Sequence, residues 1–233
     1  MNALHHQSFC SNHHLELENL IAYPQFIDRS KLKTIKLLIL DVDGVMTDAG
    51  MFFTENGDQF KKYNAKDGMA IMALTKKDFQ VGIISSGFKL EMVKSRAELL
   101  KIQHIYVGRD EKIGVLKEWC KKLDISLDNV AIIGDDINDL SIMNAVGFSA
   151  CPADAVYRVK KTVDLVLSKK GGNACVREFI DHYLIRLQNG RKGVFPVPFH
   201  VNIPSTFKPW HKKSKDDMAN KGFSNKFLFI LFY

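Results

Sequence analysis

Two aspartates, Asp41 and Asp43, stand in the run Asp41-Val42-Asp43-Gly44-Val45-Met46-Thr47-Asp48, directly after the apolar segment IKLLIL. Carboxylates at this spacing in a loop can face one small site, where one attacks an electrophile and its neighbour moves a proton. A carboxylate that attacks phosphorus also needs a cation, because nucleophile and phosphate repel each other. Taken alone, the segment fits equally well an Asp-rich turn that satisfies backbone donors. A second acidic group changes that balance: NVAIIG runs into Gly134-Asp135-Asp136-Ile137-Asn138-Asp139. A helix N-terminus accounts for one or two of these carboxylates but not for three, and oxygen ligands this dense suit Mg²⁺.

Two further segments complete a phosphate-handling set. Ser85-Ser86-Gly87, after QVGII, offers hydroxyl and backbone N–H groups, and Lys112, after HIYVG, offers a positive charge. Each is unremarkable by itself, since a serine before a glycine is commonly a turn and a lysine opening a helix is commonly solvated.

These residues fall at the ends of short apolar runs. The runs at 35–40, 80–85, 104–108, 129–134, 147–151 and 164–168 read as buried strands. Helical spacing predicts a helix capped by Asp67 and running through Met69, Met72 and Ala73. Another spans 89–101 with Leu90, Val93, Ala97 and Leu100 on one face, a third spans 111–123 around Val115, Leu116 and Trp119, and a last one spans 174–188. Alternating strands and helices predict an α/β, doubly wound, Rossmann-like parallel sheet. Asn56-Gly57 between aromatic-flanked runs predicts an inserted β-hairpin over about 51–63.

The 233 residues carry a net charge of +7, but the charge is not spread. Residues 189–233 hold eight Lys/Arg against two Asp/Glu, whereas residues 34–188 are nearly balanced. The reading is therefore an N-terminal extension (1–33), a core domain (34–188) and a basic, proline-containing tail (189–233). A basic tail does not make a nucleic-acid-binding face, so nucleic acid is disfavoured as a partner. No apolar stretch is long enough to span a membrane, and the end, FLFILFY, is only seven residues. Four scattered cysteines, Cys10, Cys120, Cys151 and Cys175, form neither a zinc pattern nor a disulfide framework. With no secretory signal pattern at the start, the expectation is a cytoplasmic protein with reduced thiols.

The order DxDGxxTD, serine, lysine, GDDxxD over residues 41–139 resembles the four motifs of the haloacid-dehalogenase superfamily of phosphohydrolases. LDVDGVMTDAGMFF, KDGMAI, GDDINDL and ACPADAVYRVKKTVDLVLSKKGG, followed by Arg177-Glu178-Phe179, are similar to one capless branch of it. That branch dephosphorylates 3-deoxy-D-manno-octulosonate 8-phosphate in lipopolysaccharide sugar synthesis, and the similarity covers about residues 34–185. The resemblance implies a phosphomonoesterase in which Asp41 is the nucleophile and Asp43 the general acid, then the base. It implies that Ser85 and Lys112 bind the phosphoryl group and that Asp139 orients Lys112. Asp41, the Asp43 carbonyl and Asp135 would hold Mg²⁺, with Asp136 acting through water. Thr47, Lys66, Asp67, Ser86 and Gly87 would contact a phosphorylated 3-deoxy sugar acid. The resemblance also implies a homotetramer in which hairpins assemble between subunits.

Two departures bear on substrate. The branch usually reads Ser/Thr-Gly-Arg after the second strand, and this chain has Ser85-Ser86-Gly87 with no arginine following; Lys66 stands where an arginine is common. A lysine does not reproduce a bidentate guanidinium clamp. A nonulosonate 9-phosphate is therefore the alternative substrate, and a non-catalytic assembly module for a sugar nucleotidyltransferase is the alternative of another class.

Overall fold

The computed structural model describes residues 27–87 and 90–185. The expectations for the N-terminal extension up to residue 26, and for the tail, lie outside the described residues. Strands β1 (Leu37–Leu40), β4 (Gln80–Ser85), β5 (His104–Val107), β6 (Val130–Ile133), β7 (Phe148–Cys151) and β8 (Leu165–Val166) form one sheet, in the order β5-β4-β1-β6-β7-β8. Every pairing in it is parallel. A parallel sheet covered on both faces needs apolar residues of both parities, and all four residues of β1 are buried. Leu38 and Leu40 face one core with Ile83, Ile133 and Phe148. Leu37 and Ile39 face the other with Ile84, Ile132 and Leu116.

The first core is closed by α1 (Arg29–Lys33), α2 (Ala65–Thr75), α3 (Leu90–Leu99) and α7 (Cys175–Phe179), and α7 continues into a wide π turn over Ile180–Leu184. The second is closed by α4 (Lys112–Leu123), α5 (Leu140–Met143) and α6 (Tyr157–Lys160). From β1 the chain moves outward through β4 to β5, then returns to the other side of β1 as β6. The point where the direction reverses lies between β1 and β6, the place where open α/β sheets leave a crevice at the carboxyl ends of their strands. Leu40 is level with Ile133, and the Asp41 N–H bonds the Ile133 carbonyl at 3.0 Å. The two acidic segments therefore leave the sheet side by side.

The hairpin consists of β2 (Phe52–Phe53) and β3 (Gln59–Phe60), paired antiparallel, with Phe52 stacked on Phe60 at 4.8 Å. Its loop is wider than the Asn56-Gly57 pair suggested, because the Thr54 N–H closes it onto the Asp58 carbonyl. Two helix expectations need correction. Asn64, not Asp67, caps α2, its side chain accepting from the Lys66 N–H at 2.8 Å. Leu90, the first residue of α3, is 43% exposed, whereas Val93 and Ala97 are buried. The last helix is found from Cys175, and the expected residues 186–188 lie outside the described residues.

Candidate active site

The carboxyl end of β1 delivers Asp41, and the chain then winds through Val42–Met46, closed by the Thr47 N–H on the Val42 carbonyl at 3.0 Å. Gly44 takes φ +84°, and a Cβ there would sit 1.9 Å from Asp135 Oδ2. Only glycine lets this loop lie against the second acidic strand end. On that side Asp136 caps the short turn Ile137–Asp139, its side chain accepting from the Ile137 N–H at 2.7 Å. The turn brings Asp139 back under the loop, where its Oδ2 accepts from the Asp135 N–H at 3.0 Å.

Beneath the cleft lies a buried charge cluster. Lys112, 4% exposed at the start of α4, places Nζ 2.6 Å from Asp139 Oδ1 and 3.2 Å from Asp41 Oδ1. The Asp139 contact is a hydrogen bond; the Asp41 contact is a charge pair without hydrogen-bond alignment. Burial pulls the Lys112 pKa down, but Asp41 and Asp139 more than offset this and it ends above its ordinary value. Asp41 is pushed up to about 7 by burial and by the Asp139 charge, against the pull of Lys112. Burial, with Asp41, Asp139 and Asp136 as like-charged neighbours, pushes Asp135 up to about 8.

One lysine among so many carboxylates leaves the cluster short of positive charge. Oxygens of Asp41, Asp135 and Asp139 lie within 4.8 Å of one another. Asp139 spends both of its oxygens on Lys112 and on backbone N–H groups. Asp41 Oδ1 and Asp135 Oδ1 are buried without a hydrogen bond. Buried, mutually repelling carboxylate oxygens that accept no hydrogen bond, beside a glycine-made hollow, are the donor set a hard divalent cation takes. Such a cation would also keep Asp41 ionised, as a nucleophile must be.

Above the cluster opens a cleft of about 260 Å³, lined by Asp41, Asp43, Ser85, Ser86, Gly87, Asp135 and Asp136 among the expected residues. Ser85 is buried, and its hydroxyl accepts from the Gly87 N–H at 3.3 Å, whereas Ser86 is exposed and accepts from Asn138 Nδ2 at 3.2 Å. Ser86 is thus the more open hydroxyl of the two. Thr47, Lys66 and Asp67 do not line this cleft. Thr47 is buried, and its hydroxyl donates to the Val42 carbonyl inside the loop. Lys66 is exposed on the first turn of α2. Asp67 is buried and accepts from the Arg177 N–H at 2.7 Å, tying α2 to the start of α7.

The cleft also holds residues that sequence reasoning passed over: Ala49, Met51, Gln59, Lys61, Met92, Val93 and Asn138. Lys61 is ion-paired with Asp43. Its only sequence signal is its place within the expected hairpin, 51–63. Asn138 sits inside the acidic motif, whose carboxylates carry the stronger signal.

Fold and site together define a phosphomonoesterase of the α/β type. Residues 86–179 match the family model for haloacid dehalogenase-like hydrolases, and the chain belongs to that family. Its relatives include 3-deoxy-D-manno-octulosonate 8-phosphate phosphatase of Escherichia coli K12, 38% identical over 67% of this chain and 82% of that one. The enzyme of the same name from Haemophilus influenzae is 36% identical over 72% of this chain and 91% of that one. Among solved structures, the Yersinia pestis phosphatase of that name superposes with a TM-score of 0.66 at 34% identity, covering 69% of this chain and 85% of that one. The Moraxella catarrhalis one, in complex with magnesium, phosphate and KDO, superposes with a TM-score of 0.67 at 33% identity, covering 70% and 92%.

Proposed function

We propose that this protein hydrolyses 3-deoxy-D-manno-octulosonate 8-phosphate to the free sugar acid and phosphate, with Mg²⁺ bound by Asp41, the Asp43 carbonyl and Asp135. The observation that carries this reading is the meeting of Asp41, Asp135 and Lys112 at the sheet's reversal point, with two buried carboxylate oxygens that accept no hydrogen bond. The names of the relatives support the substrate. The cation, when bound, supplies charge neutralisation between nucleophile and phosphate.

Asp41 attacks phosphorus and forms an aspartyl-phosphate as the bond to the sugar oxygen breaks. Asp43 gives its proton to that departing oxygen. A water molecule then attacks the phosphorus, Asp43 takes its proton, and phosphate leaves with Asp41 restored. Lys112 holds charge beneath the transferring group, and Asp139 fixes Lys112. The Ser85 and Ser86 hydroxyls, both lining the cleft, bind the phosphoryl oxygens, Ser86 being the more exposed of the two.

The same reading includes a homotetramer joined through the hairpins, which expose Met51, Phe53 and Phe60. It also includes a cytoplasmic setting, in keeping with free, buried Cys120, Cys151 and Cys175. Among the described residues no helix is long and apolar enough to cross a membrane.

The test is phosphate release from the octulosonate 8-phosphate and from a nonulosonate 9-phosphate, with Mg²⁺ or EDTA, by wild type and Asp41→Asn. Metal-dependent release that is faster on the 8-phosphate and absent in the variant is expected. A faster rate on the 9-phosphate would move the assignment to nine-carbon acids. No release from either by folded protein would overturn it.

A further inference from the structure

We propose that Lys61 is a positioning residue for proton transfer: it holds the Asp43 carboxyl in the attitude that serves the leaving oxygen. The inference rests on the reading above, in which Asp43 is the proton donor.

Asp43 needs such a partner. It stands at φ −78°, ψ 122°, next to the left-handed Gly44, on a loop rather than on a strand or helix. Its side chain is 39% exposed, so nothing in the core restrains its rotamer. Among the described residues two groups hydrogen-bond it, and both fall on the same oxygen. Lys61 Nζ pairs with Oδ1, and Thr47 Oγ1 approaches Oδ1 at 3.5 Å, the outer limit of a hydrogen bond. The ammonium is the stronger restraint, being charge-assisted and mostly shielded from water, with 14% of the Lys61 side chain exposed. With Oδ1 held, Oδ2 is the oxygen left to exchange a proton with the substrate. Among the described residues Lys61 is the only cationic side chain lining the cleft.

Lys61 comes from the hairpin. Strands of two residues each do not hold a hairpin in place by themselves. The two residues that follow β3 tether it to the catalytic loop at two points, Lys61 on Asp43 and Lys62 on Asp48. The placement of the hairpin and the attitude of Asp43 are therefore one structural event. Displacement of a reacting group by about 1 Å is enough to cost on the order of a hundredfold in rate.

The experiment compares wild type, Lys61→Met, Lys61→Arg, Asp43→Asn and the Lys61→Met/Asp43→Asn double variant on two substrates. The sugar-acid phosphate has a poor leaving group that needs a proton. p-Nitrophenyl phosphate has a good one that hardly does. Lys61→Met is expected to lower kcat on the sugar-acid phosphate about tenfold to a hundredfold. That loss should exceed its loss on p-nitrophenyl phosphate about tenfold, with KM changing less than kcat. Lys61→Arg should recover part of it, and the double variant should be no slower than Asp43→Asn. Equal losses on both substrates, an effect confined to KM, or a further loss in the double variant would overturn the proposal. A wild type inactive on both substrates would instead overturn the phosphatase reading beneath it.

Discussion

Lys112 Nζ and Asp139 Oδ1 lie 2.6 Å apart, joining groups 27 residues distant in sequence within the wholly buried floor of the site. Their pairing lets a second carboxylate, Asp41, sit beside the same ammonium. Removal of the shared cation leaves two carboxylates buried without compensation. Breaking a buried pair in this way is costly, at about 3–5 kcal/mol. Lys112→Met is therefore expected to lower stability in urea unfolding by about 3 kcal/mol in metal-free protein. It should also abolish measurable turnover. Unchanged unfolding midpoints would show that the cluster is not held as the structure has it.

Divalent metal should stabilise the fold more strongly at high pH. In the metal-free fold Asp41 and Asp135 are held above their ordinary values, at about 7 and about 8. Groups raised in this way favour the fold at low pH and lose that contribution as pH rises through the folded-state values. Metal competes with those protons, so the shift in Tm on adding Mg²⁺ should grow between pH 6 and pH 8.5. Asp135→Asn should remove most of that shift. Thermal melts with Mg²⁺ or EDTA at several pH values measure it, and a shift independent of pH would contradict the assigned ligands.

Asp67 gives a separate pH signature, away from the metal. Burial pushes it up to about 6, against the pull of backbone N–H groups at Arg177 and neighbouring residues. The fold thus holds a proton there that the unfolded chain releases from about pH 4, and its ionisation weakens the protein as pH rises to about 6 and beyond. Asp67→Asn keeps an oxygen for the Arg177 N–H without the charge. The variant should match wild type near pH 4 and exceed it by about 1–3 kcal/mol at pH 8 in denaturant titrations. A variant less stable at pH 8 would show that the carboxylate is better compensated than its geometry indicates.

The two serines of the β4 turn should separate in their effects. Both hydroxyls line the cleft and each accepts one hydrogen bond, but Ser86 is exposed whereas Ser85 is buried. A hydrogen bond to a charged group contributes about 1.5–3 kcal/mol, so Ser86→Ala should lower kcat/KM about tenfold to a hundredfold. Ser85→Ala should cost less than Ser86→Ala. Steady-state kinetics on both variants decide it, and the reverse order would assign the phosphoryl group to Ser85.

Much of this was legible in the chain because its causes are local. A strand covered on both faces must be apolar at both parities, so QVGIIS announces β4 over the same six residues the fold uses. Glycine and carboxylates packed after apolar runs announce strand ends that do chemistry. The sequence by itself therefore determined the α/β class, the hairpin, both acidic segments and the serine and lysine between them.

Only the tertiary structure decided which side chains share a space. Asp67 reads as a helix cap in one dimension, yet it serves Arg177, 110 residues away. Thr47, placed near substrate by its motif, is turned into the loop that Gly44 and Asp135 shape between them. Lys61 and Asn138 carry no local mark, because their roles arise from a hairpin folding over one strand end and a turn facing another. Periodicity along a chain reports which face a residue presents. Proximity between segments far apart in sequence depends on how the sheet orders its strands, and no single segment encodes that.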